Sequence, residues 1–185
     1  DARVAKGDFR RRAEACTVVA MTSIESIRRP VADQTTRRAR IAVSALFLTN
    51  GALFANILPR YPEIKAALDL DNAGYGLAIA AFPAGAIAAG LFAAVLIRRF
   101  GSARIAVIGT ICTGLGLLAA AFAPSGILFA VALLLGGAFD AITDVAQNAH
   151  GLRVQRRYGR SIINSFHAIW SVSYTHLTLP TIYSV

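Results

Sequence analysis

Residues 127–148 read ILFAVALLLGGAFDAITDVAQN and join a long apolar run to a polar second half. The stretch is long enough to cross the ~30 Å hydrocarbon layer of a bilayer as one helix. Its second half nevertheless holds Asp140, Asp144, Gln147 and Asn148. A carboxylate that faced lipid at the bilayer centre would cost at least about 2.5–3.5 kcal/mol. These side chains are therefore expected to face a protein interior or a water-filled cavity.

The polar side chains of this stretch fall on one face of the predicted helix. With about 100° of rotation per residue and Asp140 at zero, Asp144 lies near 40°, Gln147 near −20°, Asn148 near 80° and Thr143 near −60°. A carboxyl group on such a stripe is suited to gaining and losing a proton. The alternative is that one acid is structural, reached by water or paired with an arginine near the helix end.

The composition of the whole chain places it among integral membrane proteins. The 185 residues are 56% hydrophobic and only 16% charged, whereas about 25% charged residues is usual in soluble domains. Because every backbone N–H in lipid needs an internal partner, the apolar runs are predicted to be helices, which gives an all-α membrane fold. The predicted spans are residues 41–58, 75–97, 105–123 and 127–148, and a fifth begins at 161–171.

The distribution of arginines predicts the orientation of these spans. Ten arginines lie on one side, and the other side has Arg60 and Lys65, which Glu63, Asp69 and Asp71 offset. The arginine-rich side is expected to be cytoplasmic, with a cytoplasmic N-terminus, in the plasma (inner) membrane of a bacterium. The net charge of +9 reflects this topology, so we expect lipid and no nucleic acid as a partner. The ten are Arg37, Arg38, Arg40, Arg98, Arg99, Arg104, Arg153, Arg156, Arg157 and Arg160.

Both ends of the sequence differ from the rest. Residues 1–40 form a basic lead that we expect to be cytoplasmic, and Met21 is a plausible natural start, which would leave residues 1–20 untranslated. Residues 172–181, VSYTHLTLPT, resemble the conceptual translation of a sequencing adapter. We therefore expect residues 172–185 to be an artefact tail with no part in the fold.

The order of spans and the turn "RRFGSARI", residues 98–105, resemble the N-terminal part of a major facilitator superfamily transporter. The likeness covers about residues 37–171. In the family's signature for this turn, Arg99 and Gly101 match, but Arg98 stands where the family has Asp. The resemblance implies that Arg99, Gly101 and Arg104 form a gating turn. It also implies twelve helices in two halves that rock around a central site, of which this chain holds about four and a half.

A finer resemblance is to the fucose/proton symporter-like branch of that superfamily. "DVAQN", from Asp144 to Asn148, fits the branch's acid followed four residues later by Asn, and Phe166-His167 fits an aromatic pair near its substrate. "FANILP" carries Asn56 near the place where the branch's symporters have an acid. The resemblance implies a site for proton and solute. Its candidate residues are Asp144, Asn148, Asp140, His167, Asn56 and Gln147.

The function expected from these patterns is secondary active transport of a small polar solute. We expect the solute to be sugar-like and coupled to protons as a symport, with no cofactor, no metal and no enzymatic activity. The missing C-terminal half of the same chain would complete the transporter. The alternatives are a drug or metabolite exporter of the superfamily and a small, non-transporting membrane assembly protein. An intramembrane aspartyl protease is disfavoured, because its paired acids must come from different helices, whereas Asp140 and Asp144 share one.

Overall fold

Six α-helices form in the part of the chain that the computed structural model describes, residues 33–182, with side chains as far as Thr178. A 3-10 turn at Leu58–Arg60 joins α1 to α2. Four helical segments, Gln34–Ala67, Asn72–Phe100, Ser102–Ala121 and Gly126–Tyr158, are long and apolar enough to cross a membrane. The predicted number of four membrane spans is thereby confirmed. The helices are α1 (Gln34–Ile57), α2 (Tyr61–Ala67), α3 (Asn72–Phe100), α4 (Ser102–Ala121), α5 (Gly126–Tyr158) and α6 (Ile163–Ile182).

Helix α1 begins earlier than the apolar run does. Asp33 caps it, and its Oδ1 accepts a hydrogen bond of 2.7 Å from the backbone N–H of Thr36. That hydrogen bond, with the nearby Arg157, holds the pKa of the exposed Asp33 carboxyl below its usual value. The last part of the predicted basic lead is therefore helical, while the rest of it and Met21 lie outside the described residues.

Helix α5 continues ten residues beyond Asn148, the predicted end of the fourth span, and ends at Tyr158. Gly159 then adopts a left-handed conformation with φ of 70°, which glycine tolerates without strain. The helix is longer than the predicted span because hydropathy marks where a chain leaves the hydrocarbon layer, and a helix need not stop there. Buried Gly151 and Val154 show that the extension still packs against other helices.

Helix α6 also extends beyond its prediction, from the expected end at residue 171 to Ile182. Ser173 is buried, and its hydroxyl donates to the Leu48 carbonyl oxygen of α1 at 2.8 Å. Residues 172–178 contain neither glycine nor proline, so nothing local ends the helix there. Ser173 thus contacts α1, and the origin of residues 172–185 as an adapter stays a prediction.

Glycines bring α3 and α4 close to α5. A Cβ added at Gly85 of α3 would collide with the Leu134 carbonyl oxygen of α5, and one added at Gly137 of α5 would collide with the Phe82 carbonyl oxygen of α3. Between α4 and α5, a Cβ on Gly116 would lie 3.0 Å from the Cα of Gly136. The glycine- and alanine-rich second span therefore serves close helix contact, as small residues do in membranes.

The gating turn predicted from the sequence consists of a single residue between α3 and α4. Gly101 has a φ of 86°, which favours glycine over any residue with a side chain. Arg99 and Arg104 flank it and are exposed, and the Arg99 guanidinium carbon lies 5.5 Å from the Phe100 ring centroid. This positive φ explains why a glycine occupies position 101. The gating role of the turn stays a prediction.

The substitution Gly85→Ala tests the close contact of α3 with α5. The added methyl group would meet the Leu134 carbonyl, so we expect a loss of about 1–3 kcal/mol of stability, the usual range for overfilled contacts. The matched control is Gly76→Ala on the same helix, where a Cβ meets nothing within 4 Å. Thermal unfolding of the complete protein in detergent would show the difference. Equal Tm values for the two variants would contradict the contact.

Candidate functional site

A cavity of about 510 Å³ lies between α1, α5 and α6, with one side chain from α3. Its polar wall consists of Asn50, Asp140, Asp144, Gln147 and His167. Its apolar wall consists of Phe47, Phe54, Leu58, Phe82, Trp170 and Tyr174. None of the described residues that line it is a lysine or an arginine, so both carboxyl groups face a cavity without a basic counter-charge. Three residues of the predicted polar stripe, Asp140, Asp144 and Gln147, thus line this cavity.

Asp140 is held by an amide from another helix. The Asn50 Nδ2 of α1 donates to Asp140 Oδ1 at 2.8 Å, and the Asn50 Oδ1 accepts from the Trp170 indole N–H of α6 at 2.7 Å. Asn50 is only 4% exposed. This chain of two hydrogen bonds connects α5, α1 and α6, and it satisfies polar groups that would be costly to leave unpaired in a membrane.

Asp144 has a different set of partners, all of them neutral. The Asn148 Nδ2 donates to its Oδ1 at 3.0 Å and the Gln147 Nε2 at 3.4 Å. The Asn148 Oδ1 lies 3.1 Å from His167 Nε2 of α6. The four predicted residues Asp144, Gln147, Asn148 and His167 thus form one network, in which Asp144 itself is exposed.

Aromatic contacts place α6 beside α1 at this network. The Phe47 ring of α1 is buried and stacks on Phe166, with 5.5 Å between centroids. The same Phe47 ring meets the edge of His167 at 5.1 Å, in the T-shaped geometry that aromatic pairs favour. His167 is therefore oriented from one side by Phe47 and from the other by Asn148.

Gln147 is almost completely buried, with 1% of its surface exposed. Its side-chain carbonyl oxygen has no hydrogen-bond partner among the described residues. An unsatisfied buried acceptor costs about 1–3 kcal/mol, so this conformation leaves one group of the network poorly satisfied. Such a residue can gain a partner if the network rearranges.

Two polar residues do not join the network as the sequence suggested. Thr143, at the edge of the predicted stripe, is fully buried against Gly109 of α4, and its hydroxyl donates to the Phe139 carbonyl. Asn56 is exposed, and its Nδ2 donates to the Ala52 carbonyl of its own helix at 2.7 Å. It lines a separate cavity of about 240 Å³ between α1 and α4. The selection of Asn56 as a residue of the central site is therefore not supported by its placement.

Sequence reasoning missed Asn50 and Trp170. Asn50 and Asn56 are about 240° apart on an ideal helix, so only one of them could face the cavity. The family resemblance favoured Asn56, whereas the neighbouring helices place Asn50 toward Asp140. Nothing in the sequence pointed to Trp170, because its hydrogen bond to Asn50 depends on which side of α6 meets α1. The gating-turn residues Arg99, Gly101 and Arg104 do not line the cavity.

The site can bind a solute through hydrogen bonds and can carry a proton on a carboxyl group. The described residues contain no group of three or more His, Cys, Asp or Glu side chains that could hold a metal ion. The cavity has a size in the usual range of small-molecule sites, about 300–1,000 Å³. Its mixed wall of aromatic rings, amides and acids fits a compact polar molecule.

Comparison with known proteins agrees with this architecture. A family model described as Major Facilitator Superfamily matches residues 43–152. An uncharacterized transporter, y4wD, of Sinorhizobium fredii is 32% identical over 130 residues, which cover 70% of this chain and 34% of that protein. An uncharacterized MFS-type transporter of Yersinia pestis is 29% identical over 135 residues, or 72% of this chain and 35% of that protein.

The chain spans about a third of the length of these curated relatives. No solved structure matches the chain significantly.

The substitution Asn50→Ala tests the connection between the three helices. It would leave Asp140 and the Trp170 indole without their partner, and we expect a loss of about 1–3 kcal/mol. Asn56→Ala is the matched control, because Asn56 lies on the same helix and its side chain bonds only to the backbone of that helix. This substitution should change stability by less than about 0.5 kcal/mol. Thermal unfolding of the complete protein in detergent would compare them. A neutral Asn50→Ala variant would refute the connection.

Proposed function

The chain belongs to the Major Facilitator Superfamily, and we propose that it forms the N-terminal part of a proton-coupled secondary transporter for a small polar solute. Its relatives are named as transporters, and such proteins are not enzymes. Transport by alternating access requires a solute site near the middle of the membrane, between two halves that rock around it. The missing C-terminal half would supply the facing wall.

The observation that carries this proposal is the pair of acids on α5, which line one cavity but have different partners. Asp140 is tied to Asn50 of another helix, whereas Asp144 is exposed and has local amide partners. A buried acid bonded to another helix suits a structural task, and an exposed acid with partners on its own helix suits exchange with a proton. We therefore assign the coupling proton to Asp144.

A proton on Asp144 would change what its neighbours can bind. The carboxylate accepts hydrogen bonds from the Asn148 and Gln147 amides, and one of its oxygens becomes a donor when it is protonated. The neutral carboxyl group is a weaker acceptor than the carboxylate, so the amides can donate to a solute hydroxyl instead, and the unpaired Gln147 oxygen can accept a hydrogen bond. Proton binding and solute binding would favour each other in this arrangement, which is the requirement for symport.

The aromatic and amide walls of the cavity support a sugar-like solute. Phe82 and Trp170 offer aromatic rings, while Asp144 and His167 offer hydrogen-bonding groups. An exporter of hydrophobic compounds is the second candidate, and the six apolar residues of the lining favour it. A symporter and an exporter differ in the direction in which a proton crosses the membrane when solute is added.

The arginines support a cytoplasmic N-terminus in a bacterial plasma membrane. Described arginines lie where α1 begins, where α3 ends and where α5 ends. In a bundle of alternating spans these ends share one side, and basic residues favour the cytoplasmic side. The proposed partners are the lipid, the solute and the missing half of the transporter.

The substitution Asp144→Asn tests the proton assignment. In proteoliposomes of the complete protein with a pH-sensitive dye inside, a panel of monosaccharides and polyols is added outside. We expect the unmodified protein to acidify the interior as solute enters. Asp144→Asn should slow this acidification at least about a hundredfold, the lower end of what a proton-transfer group contributes. Asp140→Asn should have a milder effect.

Asp69→Asn is the control for this substitution. It makes the same chemical change in a connecting segment, and Asn tolerates the positive φ of 49° found there. Its rate should match that of the unmodified protein. Unchanged acidification in Asp144→Asn would reject Asp144 as the coupling group, and proton movement outward would favour the exporter.

A further inference from the structure

A second polar cavity, of about 330 Å³, lies where α1 begins and α5 ends, away from the central site. It is lined by Arg37, Arg40, Ile41, Ser44 and Tyr158. Two guanidinium groups, a serine hydroxyl and a phenol thus surround one space with an isoleucine at its side. No part of the proposed transport mechanism uses these residues.

Two arginines converge on the Tyr158 ring of this cavity. The Arg40 Nη1 donates to the Tyr158 hydroxyl at 3.1 Å, and the Arg40 Cζ lies 5.2 Å from the ring centroid. The Arg160 Cζ lies 5.3 Å from the same centroid. Two guanidinium groups thus lie against one phenol ring, and an anion bound nearby would be attracted to both charges.

The charge of this corner is not balanced by the described part of the chain. Arg37, Arg38 and Arg40 occupy the first two turns of α1, where the helix dipole is positive and disfavours cations. The first turn contains no acidic residue, and Asp33 already accepts the Thr36 N–H as the helix cap. None of the three arginines forms an ion pair within residues 33–178.

An apolar track leads from the arginines along α1 toward the middle of the membrane. Arg37, Ile41, Ser44 and Leu48 are spaced by four, three and four residues, so they lie on one face of the helix. Ile41 is 68% exposed and Leu48 is 49% exposed. A ligand on this face would meet cations at one end and hydrocarbon-like surface along its length.

We propose that this cavity binds the phosphate of an anionic phospholipid headgroup, whose acyl chains lie along Ile41 and Leu48. Arginine recognises phosphate through paired N–H donors, and basic pockets at the cytoplasmic ends of membrane helices suit anionic headgroups. A free phosphate would use the arginines alone, whereas a lipid also covers the exposed apolar side chains. The proposal does not depend on the transport mechanism.

Native mass spectrometry of the complete protein in detergent tests this site. The protein is titrated with phosphatidylglycerol and with phosphatidylcholine of the same acyl chains, and we expect tighter binding of phosphatidylglycerol. The double substitution Arg37→Gln/Arg40→Gln should weaken that binding about thirtyfold, since each of the two basic residues near the surface contributes about 1 kcal/mol. Arg98→Gln/Arg99→Gln removes the same charge from exposed positions at the end of α3 and should retain binding within about twofold.

Ser44→Leu provides an independent variant in case the double substitution does not fold. It keeps every charge but fills the cavity, and it should also weaken phosphatidylglycerol binding. Equal loss in the two double variants would show that general positive charge attracts the lipid, which contradicts a specific site. Displacement of the lipid by millimolar inorganic phosphate would identify a small-anion site and would overturn the lipid assignment.

Discussion

A carboxyl group inside a membrane protein must find a partner, and the hydrogen bond between Asn50 and Asp140 meets this constraint. The bond joins α1 to α5, and the Trp170 indole extends it to α6. The three helices that surround the central cavity are thus connected through the cavity's own polar wall. Because Asp140 is occupied in this way, Asp144 is left as the acid that can change partners. The different tasks proposed for the two acids follow from this one contact.

Helix α5 organises the rest of the bundle, because each of its faces meets a different environment. Gly137 allows α3 to approach, Gly136 and Thr143 meet α4, and Asp144 faces the cavity. Val145, one residue further, is 42% exposed on the outside of the bundle. Gly136 and Gly137 come before the two acids along α5, so the helix contacts neighbouring backbones closely there and leaves Asp144 uncovered further on. The acids can therefore face the cavity while the helix remains packed.

The sequence predicted the four membrane spans and the common face of Asp140, Asp144 and Gln147, since hydropathy and a 100° rotation depend only on neighbours along the chain. It failed where the outcome depends on another helix. Asn56 resembled a family position, yet the direction of Asn50 toward Asp140 is set by how α1 meets α5. The true end of α5 at Tyr158 was missed because the apolar signal fades where the helix leaves the hydrocarbon. Trp170 could not be predicted, because its bond depends on the contact between α1 and α6.

Single cysteines on α5 provide the most direct test that its acidic stripe faces a water-filled cavity. The variants are made in the complete protein with Cys112 and any other native cysteines replaced. A thiol at position 143 (Thr143→Cys) points toward α4, one at position 144 (Asp144→Cys) toward the cavity, and one at position 145 (Val145→Cys) toward the lipid. Only a thiol in contact with water ionises and reacts with a charged maleimide. The account predicts rapid labelling at position 144 and little at positions 143 and 145. An unreactive position 144, or labelling as fast at position 145, would contradict it.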